Sequence, residues 1–174
     1  MIMVVLAVLV GLGAAGLFAY GRDRAWTEMF GPPDLGPYDF ELPTRTGKLN
    51  DALFCPPATP ACEAAAVDRT IPLLATDAAA LLAEVRRVVE AMPGAVIVDD
   101  RPERLAFRAV VRTPVMRFPD TLSVRVRQEA PGVAGLWLYS RSQIGHADLG
   151  ANGSRLRKIV RAVRRAFETA EPAS

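Results

Sequence analysis

Ser140, Ser142, His146 and Asp148 supply the residue types of a hydrolytic triad within one short stretch. A triad needs its serine raised on a strained strand-to-helix turn, and no G-x-S-x-G elbow is present to do that. His146, the single histidine, reads as a turn residue. Asp99 and Asp100 offer two carboxylates, but neighbours in a tight turn point apart, which suits general acid–base work poorly. One histidine and two cysteines supply no second metal-binding pair, and the chain has no P-loop, no H-E-x-x-H and no calcium loop. No catalytic residue, metal or cofactor is therefore assigned.

Arginine is the other chemistry the chain offers. Its 21 basic residues face 19 acidic ones, and all but Lys48 and Lys158 are arginines. If Leu105, Phe107, Ala109 and Val111 face a core, the opposite face collects Arg104, Arg108 and Arg112. Arg125 and Arg127 join them from the next strand, with Trp137 and Tyr139 beyond. Such a surface could bind phosphate, carboxylate or a stacked base, or it could be a solvated face with cation–π pairs. Arg155, Arg157, Lys158, Arg161, Arg164 and Arg165 line the last helix, which could meet acidic lipid, nucleic acid, a partner or simply water. A net charge of +2 gives nucleic acid no support as a partner.

The elements that position these groups begin after an uncharged leader. Met1 to Tyr20 is apolar apart from Gly11, Gly13 and Gly16, and at 1.5 Å per residue it spans about 30 Å, one bilayer core. Residues 1–21 are therefore expected to be a transmembrane anchor. A cleaved signal peptide ending near Ala19-Tyr20-Gly21 is the alternative. Gly11 to Gly16 spells G-x-G-x-x-G, but no amphipathic helix follows, so a dinucleotide site is not indicated. Ala7, Gly11, Ala15 and Ala19 recur every four residues and would give the helix a small-residue packing face. Arg22 and Arg24 after the run weakly favour a cytoplasmic body. Cys55 and Cys62, the only cysteines, share one proline-rich loop. They are either free thiols or a disulfide, and a bridge would put the body on the oxidising, periplasmic side of a bacterial inner membrane.

Residues 22–54 read as an extended Pro/Gly-rich tether, 55–170 as the folded body and 171–174 as a tail. Leu81, Leu82, Val85, Val88, Val89 and Met92 mark an amphipathic helix, with Thr76 or Asp77 as its cap and Pro93-Gly94 as its stop. Alternating segments follow at 95–98, 105–111, 121–127 and 133–140, and one more strand could lie near 67–74. Leu156, Ile159, Val160, Val163 and Phe167 stripe a closing helix. The expected fold is α+β: an N-terminal transmembrane helix, then a four- to five-stranded antiparallel sheet packed against two amphipathic helices.

The loop from Ser140 to Arg155 also carries a pattern. Ser140, Ser142, Gly145, Asp148, Gly150, Asn152 and Arg155 match S-x-S-R-x-G-x-x-D-x-G-x-N-x-x-R, with Gln143 in place of the arginine. In this the chain resembles the family catalogued as domain of unknown function 1499. Arg117-Phe118-Pro119-Asp120 is similar to that family's R-F-x-D-D element, with Thr121 as the last residue. Cys55 to Cys62 is similar to its C-P-x-S-P-N-C element, one residue longer. The resemblance implies a membrane-attached or exported α+β domain and no known reaction. The leading functional expectation is a noncatalytic accessory or assembly protein. It would sit in the lipid bilayer and pack on an integral membrane partner through its transmembrane helix and its basic surface of Arg108, Arg112, Arg125, Arg127, Arg161, Arg164 and Arg165. The alternative is a periplasmic binding module for a small anionic or lipid ligand, its pocket near Asp120, Asp148, Asn152 and Arg155. A hydrolase stands third.

Overall fold

A computed structural model describes residue 3, residues 5–6 and 11–13, and residues 21–168. Six strands, β1 (Asp51–Cys55), β2 (Arg69–Thr70), β3 (Ala95–Arg101), β4 (Ala106–Arg112), β5 (Pro119–Ala130) and β6 (Val133–Ser142), form one sheet in the order β2-β1-β6-β5-β4-β3. Helices α1 (Arg22–Phe30), α2 (Pro60–Ala64), α3 (Ala78–Glu90) and α4 (Ala151–Glu168) accompany it, and the described residues 3, 5–6 and 11–13 are helical as well. The sheet is larger than the expected four to five strands, and it is mixed, because β1 and β2 pair in parallel while the other pairs are antiparallel. The extra strand escaped the alternation pattern for a physical reason. Ala52 and Phe54 pack on one face and Leu53 and Cys55 on the other, so β1 is apolar on both sides and has no period of two.

The transmembrane helix expected over residues 1–21 is not found among the described residues, which include only residues 3, 5–6, 11–13 and 21 of that span. Among the described residues no helix is long and apolar enough to cross a membrane, and α1 carries Arg22, Asp23, Arg24 and Glu28 along its length. The single-pass inner-membrane placement rested on a helix over residues 1–21, and no helix among the described residues supports it. Of the small-residue face, Ala7, Ala15 and Ala19 lie outside the described residues. Gly11 is described, and a Cβ built there meets nothing within 4 Å.

Each face of the sheet has its own core. On one, Phe107, Ala109, Leu122, Val124, Leu136 and Leu138 meet Leu81, Val85 and Val89 of α3 and Leu156, Ile159 and Val163 of α4. The first turn of α3 is capped from outside: Asp77 makes no side-chain cap, and Gln128 Oε1 of β5 accepts the Ala78 N–H at 2.7 Å. That satisfies one of the donors every helix leaves open. On the opposite face a smaller cluster of Phe40, Leu53, Cys55, Cys62, Trp137 and Tyr139 is buried. Gly135 serves this second core, because a Cβ there would stand 2.9 Å from the Trp137 ring, which lies over the glycine.

Cys55 and Cys62 are disulfide-bonded and nearly inaccessible, joining the end of β1 to α2. Closing this loop restricts the unfolded chain, by about 2.5 kcal/mol in the chain-entropy treatment. Urea denaturation with and without a thiol reductant should therefore differ by about that amount; equal midpoints would mean that the bond does not restrict the unfolded chain.

Candidate functional site

The signature loop folds into a lock between helix and sheet. Arg155, on the inward side of α4, is 8% exposed and Asp120, at the start of β5, is 2% exposed. Arg155 Nη2 donates to Asp120 Oδ2 at 2.5 Å, and its Nη1 donates to Asn152 Oδ1 at 2.6 Å and Ser140 Oγ at 2.9 Å. Ser140 Oγ donates in turn to Asn152 Oδ1. Asn152 Nδ2 reaches Ser142 Oγ and the Asn50 carbonyl, both at 2.9 Å. Asn50 Nδ2 closes the circuit on the Gly145 carbonyl at 2.8 Å. Asp148 sits just ahead of the helix, where its carboxylate accepts the N–H groups of Gly150 and Asn152 at 2.8 Å each, as an anion at a helix start should. Gly145 and Gly150 bring the backbone round at φ +94° and +78°, values that favour glycine.

The loop residues expected near a ligand are thus spent on one another. Ser140, Ser142, Asp120, Asn152 and Arg155 are buried, whereas His146 is exposed. The serine, histidine and aspartate do not converge, because Ser140 and Ser142 face Asn152 while Asp148 faces the head of α4.

The arginine face is arranged differently from its sequence reading. Arg108, Arg112, Arg125, Arg127, Trp137 and Tyr139 do point to the side away from α3 and α4, while Arg104 sits in the 3-10 turn Pro102–Arg104 after β3. The aromatics are covered: Trp137 is 3% and Tyr139 1% exposed. The cover is the chain from α1 to residue 50, which lies across this face as a strap. Asp34 holds Arg108 through two bonds of 2.8 and 2.9 Å, and Asp99 adds a third at 3.0 Å. Asp23 bridges Arg117 at 2.7 Å and Arg112 at 3.2 Å. Glu41 bridges Arg125 at 3.1 Å and Arg127 at 3.4 Å. The strap backbone is held as well: Arg141 donates to the Leu35 carbonyl at 2.7 Å, Gln143 to that of Pro32 at 2.6 Å, and the Leu35 N–H to Thr121 Oγ1 at 2.9 Å. Gln143, where the family pattern has arginine, thus holds strap carbonyls. Tyr38 stacks on Tyr139 with centroids 3.7 Å apart.

At the far end of the strap, Tyr139 Oη donates to Asp51 Oδ2 at 2.8 Å and Arg45 to Asp51 Oδ1 at 2.7 Å. Burial pushes the Asp51 carboxyl up, but the bonds from Arg45, the Thr46 N–H and Tyr139 outweigh it and hold it below the usual range. The hydrogen bond from Arg117, with Arg112 nearby, likewise lowers Asp23. Burial, together with the bond to Asp51, raises the Tyr139 phenol, and burial pushes Tyr38 up to about 12.

Between strap and sheet lies a cavity of about 390 Å³. Tyr38 and Phe40 line it from the strap, Ser123 and Arg125 from β5, and Arg101 and Arg104 from the end of β3 and its turn. The hydroxyls of Tyr38 and Ser123 are both buried without a hydrogen-bond partner among the described residues. Sequence reasoning misses Ser123 and Arg101 as site residues. For Ser123 the signal was present, since it alternates with Thr121 and Arg125 on the outward side of β5. Among the described residues no group of three His, Cys, Asp or Glu side chains could hold a metal ion.

Two measurements test this arrangement. Removing one partner of a buried ion pair strands the other charge, so Arg155→Met should cost about 3–5 kcal/mol in urea denaturation, and Asp120→Leu with Arg155→Met should recover most of it. Asp23 and Asp51 have folded pKa values below their unfolded ones, so their contribution is complete above the ordinary aspartate value, near pH 4. It is lost as pH falls through the depressed folded values. Urea midpoints should stay level down to about pH 4 and then drop, and Asp51→Asn should lower the neutral plateau while flattening the acid limb.

With this geometry in place the comparisons are informative. The family model described as protein of unknown function (DUF1499) matches residues 53–163, a span from β1 through most of α4 that contains the outward arginines and every residue of the lock except Asn50. No curated protein and no solved structure matches the chain. The family model covers well over half of the 174 residues, and the chain belongs to the DUF1499 family of proteins of unknown function.

Proposed function

We propose that this protein is a noncatalytic binding module, and that its ligand is a small amphiphile with an apolar body and an anionic head. The cavity beneath the strap is the binding site. The observation that carries this reading is the cavity of about 390 Å³ itself, walled by Tyr38, Phe40 and Ser123 and rimmed by Arg101, Arg104 and Arg125. Tyr38 and Phe40 supply apolar surface for the body of the ligand. Arg104 is the rim cation for the head, because its one ion pair is a 4.0 Å contact with its neighbour Glu103, whereas Arg108 and Arg125 are engaged by Asp34 and Glu41. A few placed polar groups in an otherwise apolar hollow is the usual composition of a small-molecule site.

The ligand reading moves from the signature loop to the strap side, since Asp120, Asn152 and Arg155 are occupied with each other. Calorimetric titration with decyl phosphate, decanoate and decanol tests it. The two anions should bind and decanol should not, and Arg104→Glu should weaken the anions by about tenfold, the worth of one charge-assisted contact. Ser123→Ala should weaken binding while leaving the free protein as stable or up to about 1 kcal/mol more stable, because it deletes an unmet polar group. No binding by either anion, or binding indifferent to both substitutions, would refute the proposal.

A further inference from the structure

The exposed side of α4 carries a second basic feature, separate from the strap. Arg157, Arg161, Arg164 and Arg165 follow one another at helical spacings of three and four and so share one face. Arg69 of the edge strand β2 joins them across a groove of about 410 Å³, with Val160 on its wall and Glu168 at its end. Like charges at i and i+4 repel, so Arg157 with Arg161 and Arg161 with Arg165 each work against the helix.

Elsewhere the chain answers its arginines with its own acids: Arg108 with Asp34, Arg117 with Asp23, Arg125 with Glu41, Arg45 with Asp51 and Arg155 with Asp120. In the groove Glu168 bonds Arg164 at 3.0 Å. Arg69, Arg157 and Arg161 take part in no ion pair among the described residues. Three unanswered guanidiniums, held on two rigid elements around one hollow, form a cluster that an external anion would relieve.

From this we infer that the groove between β2 and α4 is a binding site for a ligand bearing two or more phosphate groups. Guanidinium forks match phosphate oxygens in pairs. Successive arginines on the helix face lie about 6 Å apart along the axis, so a chain of two or three phosphates gives each guanidinium its own oxygens without crowding the like charges together. A duplex nucleic acid fits less well, because it is tracked by long basic stripes, whereas this groove ends at Glu168 and the whole chain carries only +2. Phosphates free in solution and phosphates displayed by lipid headgroups present the same chemistry to these side chains.

The full chain is titrated with inorganic tripolyphosphate and, separately, with phosphatidylcholine vesicles with and without cardiolipin. Saturable binding to tripolyphosphate identifies a soluble source, and binding to the cardiolipin vesicles alone a lipid source. In either case Arg157→Gln with Arg161→Gln should weaken binding by about tenfold for each arginine removed, the worth of one charge-assisted contact. The same double variant should have an unchanged or higher melting temperature without ligand, since it removes repulsion at exposed positions. Arg86→Gln, on α3 and away from the groove, should leave the binding of either probe unchanged. The inference is overturned if neither probe binds, if binding survives the double substitution, or if a short DNA duplex binds as tightly as tripolyphosphate.

Discussion

A guanidinium placed between a helix and the sheet it covers must have its charge and its N–H groups answered on the spot, because the desolvation it pays is several kcal/mol. Arg155 is answered by Asp120 from β5, Ser140 from β6 and Asn152 from its own helix. Each of those partners must then be satisfied, which draws in Ser142 and the backbone of Asn50 and Gly145. One buried charge thereby fixes the seating of α4, the start of β5, the end of β6 and the approach to β1. The residues that read as the most site-like pattern in the sequence are the ones this requirement consumes.

The rest of the molecule follows from a sheet with two apolar faces. Helices α3 and α4 cover one of them. The other presents Leu53, Cys55, Trp137 and Tyr139, which could not be left to water, and no helix of comparable length lies over it among the described residues. The strap and the disulfide-closed turn cover it instead. An irregular segment has unpaired backbone groups, and the outward side chains of β5 and β6 meet them: Thr121, Arg141 and Gln143 bond the backbone of residues 32–36. The arginines of β4 and β5 are the counterpart of the acids on the strap. Their clustering on one face is a consequence of holding that segment down, and the cavity is the part of the interface where strap and sheet do not meet.

Periodicity made α3, the antiparallel strands β4 to β6 and α4 legible, since each alternates or repeats against a single core, as Leu122, Val124 and Val126 do. β1 was not legible because it is buried on both sides, and β2, only two residues long, lies inside the strand expected near 67–74. The outward arginines were identifiable from alternation, but not their partners, because Asp34 and Arg108 are 74 residues apart and nothing local links them. Ser140, Asp148, Asn152 and Arg155 stood out as a shaped loop. A ligand pocket and an internal lock draw on the same polar residue types, so burial, which is a property of the whole fold, was needed to tell them apart.

The strap is part of the same chain as the sheet it covers. Asp23, Asp34 and Glu41 therefore act on their arginines at an effective concentration set by the tether between them, commonly in the millimolar range for short flexible connections. Dilution does not weaken such pairing, and a free anion competing for Arg108 or Arg117 has to exceed that local value or bind more tightly than a carboxylate. The outward face therefore carries its own counterions. That separates two kinds of arginine in one small protein: those already neutralised by a covalently attached acid, and those, as at Arg69, Arg157 and Arg161, whose neutralisation depends on what the surrounding solution contains.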